Sequence, residues 1–520
     1  MAAEGSGAKI DRSGPPPYDA RMTRSPAAVS RIALIAALLV IPSVAAAQRL
    51  VAADAETPAP SSVADSSAAA HDVTNPAIAS KAAPSQPSIA VSTASVSTPA
   101  PSSALLADGL VPGSVNATSI NLTAEYVATV RLSFATRAFR VDSTMTVTNT
   151  SGSSIDRLEL NTIAARLGRM TITLATVDGV AVRPTVTDQT IHLPLGGILP
   201  PGQAVSVHIG YRATLRSDVA GSNWLFTRVN GVVDAYRWLP WISKPIAFNR
   251  PNHGDPFETP VSPHVRVRII SDRVLRYATT GEQIAGGSAL TKYFDARDVR
   301  DFSFTAAPDY AVQTSSIAGV VIHVWGRPGF PALAVMRAAK TALSREGALL
   351  GAYPYASYEL AQTAGGFGME SPGLTWIPRG VASGNIPYLV AHETGHQWFY
   401  GIVGNNQATE PYADEAATDF VARYVLGLRR ASRCSTARLD LTIYQYSSTC
   451  YYEDIYIQGG NFLDDLRRRM GPTAFWAGIR DYLAANRFKL AGTKTLLDTL
   501  DAHTPLDLVP RYHPRFPRLY

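Results

Sequence analysis

Apolar and polar positions alternate in short runs between Tyr126 and about Gln313. Tyr126–Leu132, Thr144–Asn149 and Val205–Tyr211 each put every second side chain on one face, the period of a half-buried strand. Turn-forming clusters at Asn149–Gly152, Asp178-Gly179 and Pro200–Gly202 separate such runs. Strands repeated in this way predict an antiparallel, sandwich-like β-domain over residues 119–313. The period then lengthens. Leu333, Met336, Ala339 and Leu343 share one helical face, and that helix is expected to stop near Gly351. A strand-like stretch, Tyr358–Ala361, leads to a glycine-rich segment. Two further helices are expected: one beginning near Pro387 with Asn385 as N-cap, one at Pro411, since proline suits a first turn. The fold class predicted is multidomain α+β, with residues 314–520 forming a second, mainly helical domain.

Two segments at the amino terminus read differently. Arg21, Arg24 and Arg31 precede the apolar run Ile32–Ile41, and small residues follow up to Ala47. This is the layout of an export signal over residues 1–47, with cleavage after Ala47. An uncleaved signal-anchor is the alternative, although the run is shorter than the ~20 residues that span a bilayer comfortably. Export to a secreted, periplasmic or cell-surface location is the expectation, with no membrane span after cleavage. Residues 48–118 are almost wholly Ala, Ser, Thr, Pro and Val. That composition buries too little apolar area to offset its ordering entropy, so a disordered spacer is predicted, reaching roughly 45 Å.

Composition changes this picture little. The 520 residues are 46% apolar and 17% charged, enough for a sizeable core. The net charge of +6 comes from scattered basic residues and short clusters such as Arg467–Arg469. No basic stripe or recognition motif accompanies them, so nucleic acid is not an expected partner. Two cysteines, Cys434 and Cys450, exclude a four-cysteine metal site. In an exported chain they form a disulfide or remain two thiols; spacing alone does not decide. His192, His208, His253, His264 and His323 lie singly in or near the β-rich region, without a partner at ligand spacing.

Chemistry concentrates in Ala391-His392-Glu393-Thr394-Gly395-His396. On a helix, residues four apart share a face, which places two imidazoles where both reach one zinc ion. Glu393 sits beside that face, where its carboxylate can take a proton from the hydrolytic water. A catalytic zinc site needs a third protein ligand and an open position. Glu415, on the helix predicted from Pro411 and separated from His396 by eighteen residues, fills the count; neighbouring Asp414 is the less favoured ligand. Asp419, one turn beyond Glu415, is placed to orient a ligand histidine or to be an ordinary surface acid.

H-E-x-x-H followed at this spacing by Glu resembles the gluzincin zinc metallopeptidases, especially the aminopeptidase N family. The resemblance spans roughly residues 120–520 and implies a β-domain before a thermolysin-like catalytic domain. Trp238-Leu239-Pro240-Trp241 is similar to the family's W-x-P segment. Gly368-Met369-Glu370-Ser371 resembles its G-x-M-E-N signature, with serine in place of asparagine. By this resemblance Gly368, Met369 and Glu370 are substrate-binding, and Glu370 holds the substrate's free amino terminus. Tyr456-Ile457-Gln458-Gly459 resembles the Y-x-K-G segment, with glutamine in place of lysine. This implies Tyr456 as the hydrogen-bond donor to the oxyanion, with Tyr451 and Tyr452 as competitors. The family's large helical carboxy-terminal domain has no counterpart after Pro510, which implies a more open cleft. The function expected is a one-zinc aminopeptidase acting on peptides or proteins. The alternatives are a zinc endopeptidase and an inert adhesion protein on the same fold.

Overall fold

The computed structural model describes residues 109–520; the expected signal and most of the expected spacer lie outside them. The alternating runs form strands Thr123–Leu132, Ala138–Thr148 and Ala204–Thr214, whose every second residue is buried. They belong to an eight-stranded sheet, and two four-stranded sheets accompany it. Antiparallel pairing dominates, but Thr123–Leu132 pairs in parallel with Ser262–Ser271, Tyr126 opposite Val265. That pairing joins segments far apart in sequence, and local periodicity is blind to it.

The expected spacer ends earlier than predicted. Residues 109–118 are tied to one of the four-stranded sheets: Val111 bridges Ile198, and the Asp156 carboxylate gathers the backbone N–H groups of Val115, Asn116 and Ala117 at 2.7–2.9 Å. The boundary expected at 313/314 falls inside the strand Ala311–Ile317, which pairs with Val320–Gly326. These strands begin a mixed five-stranded sheet that continues through Ser357–Thr363, Leu374–Pro378 and Met369–Ser371. The carboxy-terminal part is therefore less purely helical than expected. Its first helix, Ala332–Leu350, buries Val335, Met336, Ala339 and Leu343 and ends at Gly351, whose φ of 106° suits glycine.

One hydrophobic core is built mainly from residues of the β-rich region and reaches Met369, Leu374 and Trp376; a second gathers residues from Val320 to Phe516. Polar ties cross between the two parts. The buried Asp234 accepts hydrogen bonds from Thr305, from Thr363 at 2.7 Å and from the N–H of Ala364 at 2.8 Å. The fully buried Arg300 donates to the carbonyls of Thr259, Gly401, Ile402 and Lys489. Four of the histidines meet carboxylates: His192 with Glu159, His208 with Asp142, His264 with Asp295 and His323 with Glu359. Cys434 and Cys450 form a disulfide across a Cα separation of 5.9 Å. Among the described residues no helix is long and apolar enough to cross a membrane.

Candidate active site

The helix Ile386–Gly395 carries His392 and Glu393, and His396 caps it. Pro387 occupies its first turn; Asn385 precedes it, but the Asn385 side chain makes no capping hydrogen bond. Glu415 lies in a short π-helical stretch, Tyr412–Ala416, that follows Pro411 and runs into the helix Ala417–Leu426. The two helices pack so that three donor atoms converge. Nε2 of His392 and Nε2 of His396 are 3.3 Å apart, and Oε2 of Glu415 lies 3.3 and 3.4 Å from them. Bonds of ~2.0–2.1 Å to one tetrahedral ion separate its ligands by about 3.3–3.4 Å. The triangle has the size of one face of that tetrahedron.

The surroundings fit a cation. Oε2 of Glu415 is buried without a hydrogen-bond partner. Burial works against its charge, yet the two imidazoles outweigh burial and hold the Glu415 pKa below the usual carboxylate range. For His396 burial again opposes charge, and Asp414 and Glu370 prevail to raise its pKa. Two imidazoles and one carboxylate form a donor set suited to zinc. A second group, Glu370, His396 and Asp414, also clusters. There Nε2 of Gln407 donates to Asp414 at 2.5 Å and to Glu370 at 3.2 Å, so those carboxylates are satisfied without an ion.

Glu393 stands beside the triangle and is buried, with Oε2 unpartnered. Burial, against the pull of His392 and His396, pushes its pKa up to about 7. Gly368 passes so near that a Cβ there would overlap the Glu393 carboxylate; only glycine permits the approach. Glu370 follows on the strand Met369–Ser371, buried, its pKa raised by burial. The Met369 side chain packs into the β-rich core and not the cleft, because alternate residues of a strand face opposite ways. Ser371 donates to Asp301 at 2.8 Å, fixing the strand to the β-rich region.

Tyr456 stacks on His392, ring centroids 5.4 Å apart. Burial and then the Glu415 carboxylate push its phenol pKa well up. Tyr451 is the remaining competitor: its hydroxyl is buried and unpartnered, and its ring lies 5.9 Å from that of Tyr456. Tyr452 is engaged elsewhere, with Tyr388 and Arg423.

The expectation for Asp419 is corrected. Its oxygens accept from Tyr388 and from Arg423 Nε, the latter at 2.6 Å, and neither ligand histidine bonds to it. Asp414 touches Nδ1 of His396 instead, at 2.8 Å. Asp414 lies within the π-helical stretch and Asp419 in the α-helix that follows it. Gln407, which steadies Asp414, and Asp255, a buried carboxylate from the β-rich region that feels the charges of Glu415 and Asp414, carried no local signal. His392, Glu393, His396 and Glu415 are all less than a tenth exposed, at 7%, 5%, 1% and 4%.

No protein-family model matches the chain. Solved structures of M1 zinc metallopeptidases are similar in fold. A glutamate-to-alanine mutant of the Deinococcus radiodurans M1 zinc metallopeptidase aligns with a TM-score of 0.59 at 17% identity, over 76% of this chain and 94% of the other. The M1 zinc metallopeptidase from that organism gives 0.57 at 18% identity, over 74% and 90%. The mutant bound to a Tyr-Ser-Ala substrate gives 0.58 at 18% identity, over 76% and 94%. The chain therefore has the fold of the M1 zinc metallopeptidases.

Proposed function

We propose that the protein is a zinc-dependent aminopeptidase that removes amino-terminal residues from peptides. The observation that carries the reading is the triangle of His392, His396 and Glu415, sized for one tetrahedral zinc, with Glu393 free beside it. His392, His396 and Glu415 would hold a zinc ion, which would supply Lewis acidity toward a scissile carbonyl and acidify water. Glu393 then takes the proton of the attacking water and returns it to the leaving amine, a task that suits a buried carboxylate with an unpartnered oxygen. The Tyr456 hydroxyl donates to the carbonyl oxygen as negative charge grows there. Glu370, a buried carboxylate on the strand that follows Gly368, is assigned to pair with the substrate's ammonium group.

The fold neighbours support this reading. One is bound to a Tyr-Ser-Ala substrate, and two others to L-arginine and L-tryptophan. The test compares a free-amine aminoacyl chromogenic amide with its N-acetylated form, with and without a chelator. Chelator-sensitive hydrolysis of the free amine only is the expected result. Equal hydrolysis of both forms would make the protein an endopeptidase, and no metal-dependent hydrolysis would leave the fold without this activity.

A further inference from the structure

Two loops from distant parts of the chain interlock next to Tyr451. Asn252, buried, donates from Nδ2 to the carbonyls of Ile443 and Tyr446, and its Oδ1 accepts from the N–H of Gly254. Tyr444 donates from its hydroxyl back to the carbonyl of Ala247. Gly254 fits so closely that a Cβ there would stand 2.6 Å from Ile443 and 3.0 Å from the Tyr451 hydroxyl. From Tyr451 the contacts run on to Tyr456 and His392, at centroid distances of 5.9 and 5.4 Å. The other flank is joined as well. The His253 ring lies 4.9 Å from that of Phe367, in the glycine-rich loop leading to Glu370. Asp255, paired with Arg250 at 2.8 Å, is buried beneath the clasp.

We infer that segment 247–257, clasped through Asn252 to the loop 441–451, is the specificity wall of the cleft, closing it beyond the substrate's amino terminus. An endopeptidase must admit chain on both sides of the scissile bond. Here the clasp touches Phe367 on one flank and Tyr451 on the other, and the ligand side chains are themselves less than a tenth exposed. A free amino terminus can end against Glu370 under that wall; a blocked or continuing chain meets it. The inference rests on the aminopeptidase reading and names what enforces it. Asn252 is a positioning residue in this account, since it touches the wall and not the substrate.

The test uses the full chain with zinc, wild type against Asn252→Ala. Substrates are the free-amine aminoacyl amide and an internally quenched peptide with an acetylated amino terminus. The wild type is expected to favour the free amine strongly. Asn252→Ala is expected to gain on the blocked peptide, lowering that preference by about tenfold or more. A variant of lower stability would lose activity on both substrates; only an opened wall gains on one. Tyr444→Phe, at a half-exposed ring, removes the second tie without touching the core and should shift the preference the same way by a smaller factor. It decides the matter if Asn252→Ala does not fold. Unchanged preference in a folded variant overturns the wall. A wild type without preference overturns the aminopeptidase reading first, so the two failures are distinct.

Discussion

Oδ1 of Asp414 lies 2.8 Å from Nδ1 of His396. A carboxylate on the far nitrogen fixes the tautomer that presents Nε2 to a metal and makes that nitrogen a stronger donor. Asp414→Asn is expected to weaken zinc affinity about 10–100-fold, measured by competition with a chromogenic chelator. Asp419→Asn, which disturbs Tyr388 and Arg423 instead, should leave zinc affinity near the wild-type value. The reverse order would return the supporting role to Asp419.

Replacing Glu393, the proposed proton acceptor, should separate binding from turnover. Glu393→Gln keeps the ligand triangle and is expected to retain zinc while kcat falls by about 10²–10⁴-fold. Tyr456→Phe should lower kcat by about 10²–10³-fold with little change in KM, as for loss of a donor to a developing oxyanion. Steady-state kinetics on the free-amine substrate check both. A larger kcat loss in Tyr451→Phe than in Tyr456→Phe would move the donor role to Tyr451.

The sequence made the triad legible because its information is local. His392 and His396 share a helical face by spacing alone, and the Gly368–Glu370 and Tyr456 segments stand as contiguous motifs. What stayed hidden depends on register or on distance. Asp414, in the π-helical stretch Tyr412–Ala416, meets His396, and Asp419 does not. Asn252 meets Ile443 across 191 residues, and Asp255 reaches the site from the β-rich region. No periodicity announces either contact. The parallel pairing of Thr123–Leu132 with Ser262–Ser271 was hidden for the same reason.

Asp234 supplies a pH dependence of stability. Burial, only partly offset by hydrogen bonds from Thr305, Thr363 and Ala364, pushes its pKa up to about 7 from an ordinary 3.8. Between those values the folded chain holds a proton that the unfolded chain has released. Its contribution is thus fully present below the unfolded pKa and is lost as pH rises through about 7, by up to about 4 kcal/mol. Urea unfolding across pH 4 to 8 should show Asp234→Asn with a flatter stability profile than the wild type. Parallel profiles would contradict the shift.

Arg300 is a structural charge without a carboxylate among its hydrogen-bond partners. Its guanidinium serves carbonyls from three separate segments, at Thr259, Gly401-Ile402 and Lys489. Arg300→Met would take the buried donor from the carbonyls of Thr259 and Gly401, while those of Ile402 and Lys489 keep the N–H groups of Phe488 and Gly404, at a cost of about 3 kcal/mol. Thermal or urea denaturation measures the loss, and a variant as stable as the wild type would show that water or relaxation replaces the guanidinium.

The metal centre itself admits the most direct measurement: zinc content and X-ray absorption fine structure of the purified chain. One zinc per chain, with two imidazole nitrogens and carboxylate oxygen at ~2.0–2.1 Å, and loss of that ion in His396→Ala, is the predicted result. A chain that takes up no stoichiometric zinc, or holds it unchanged without His396, would contradict the account.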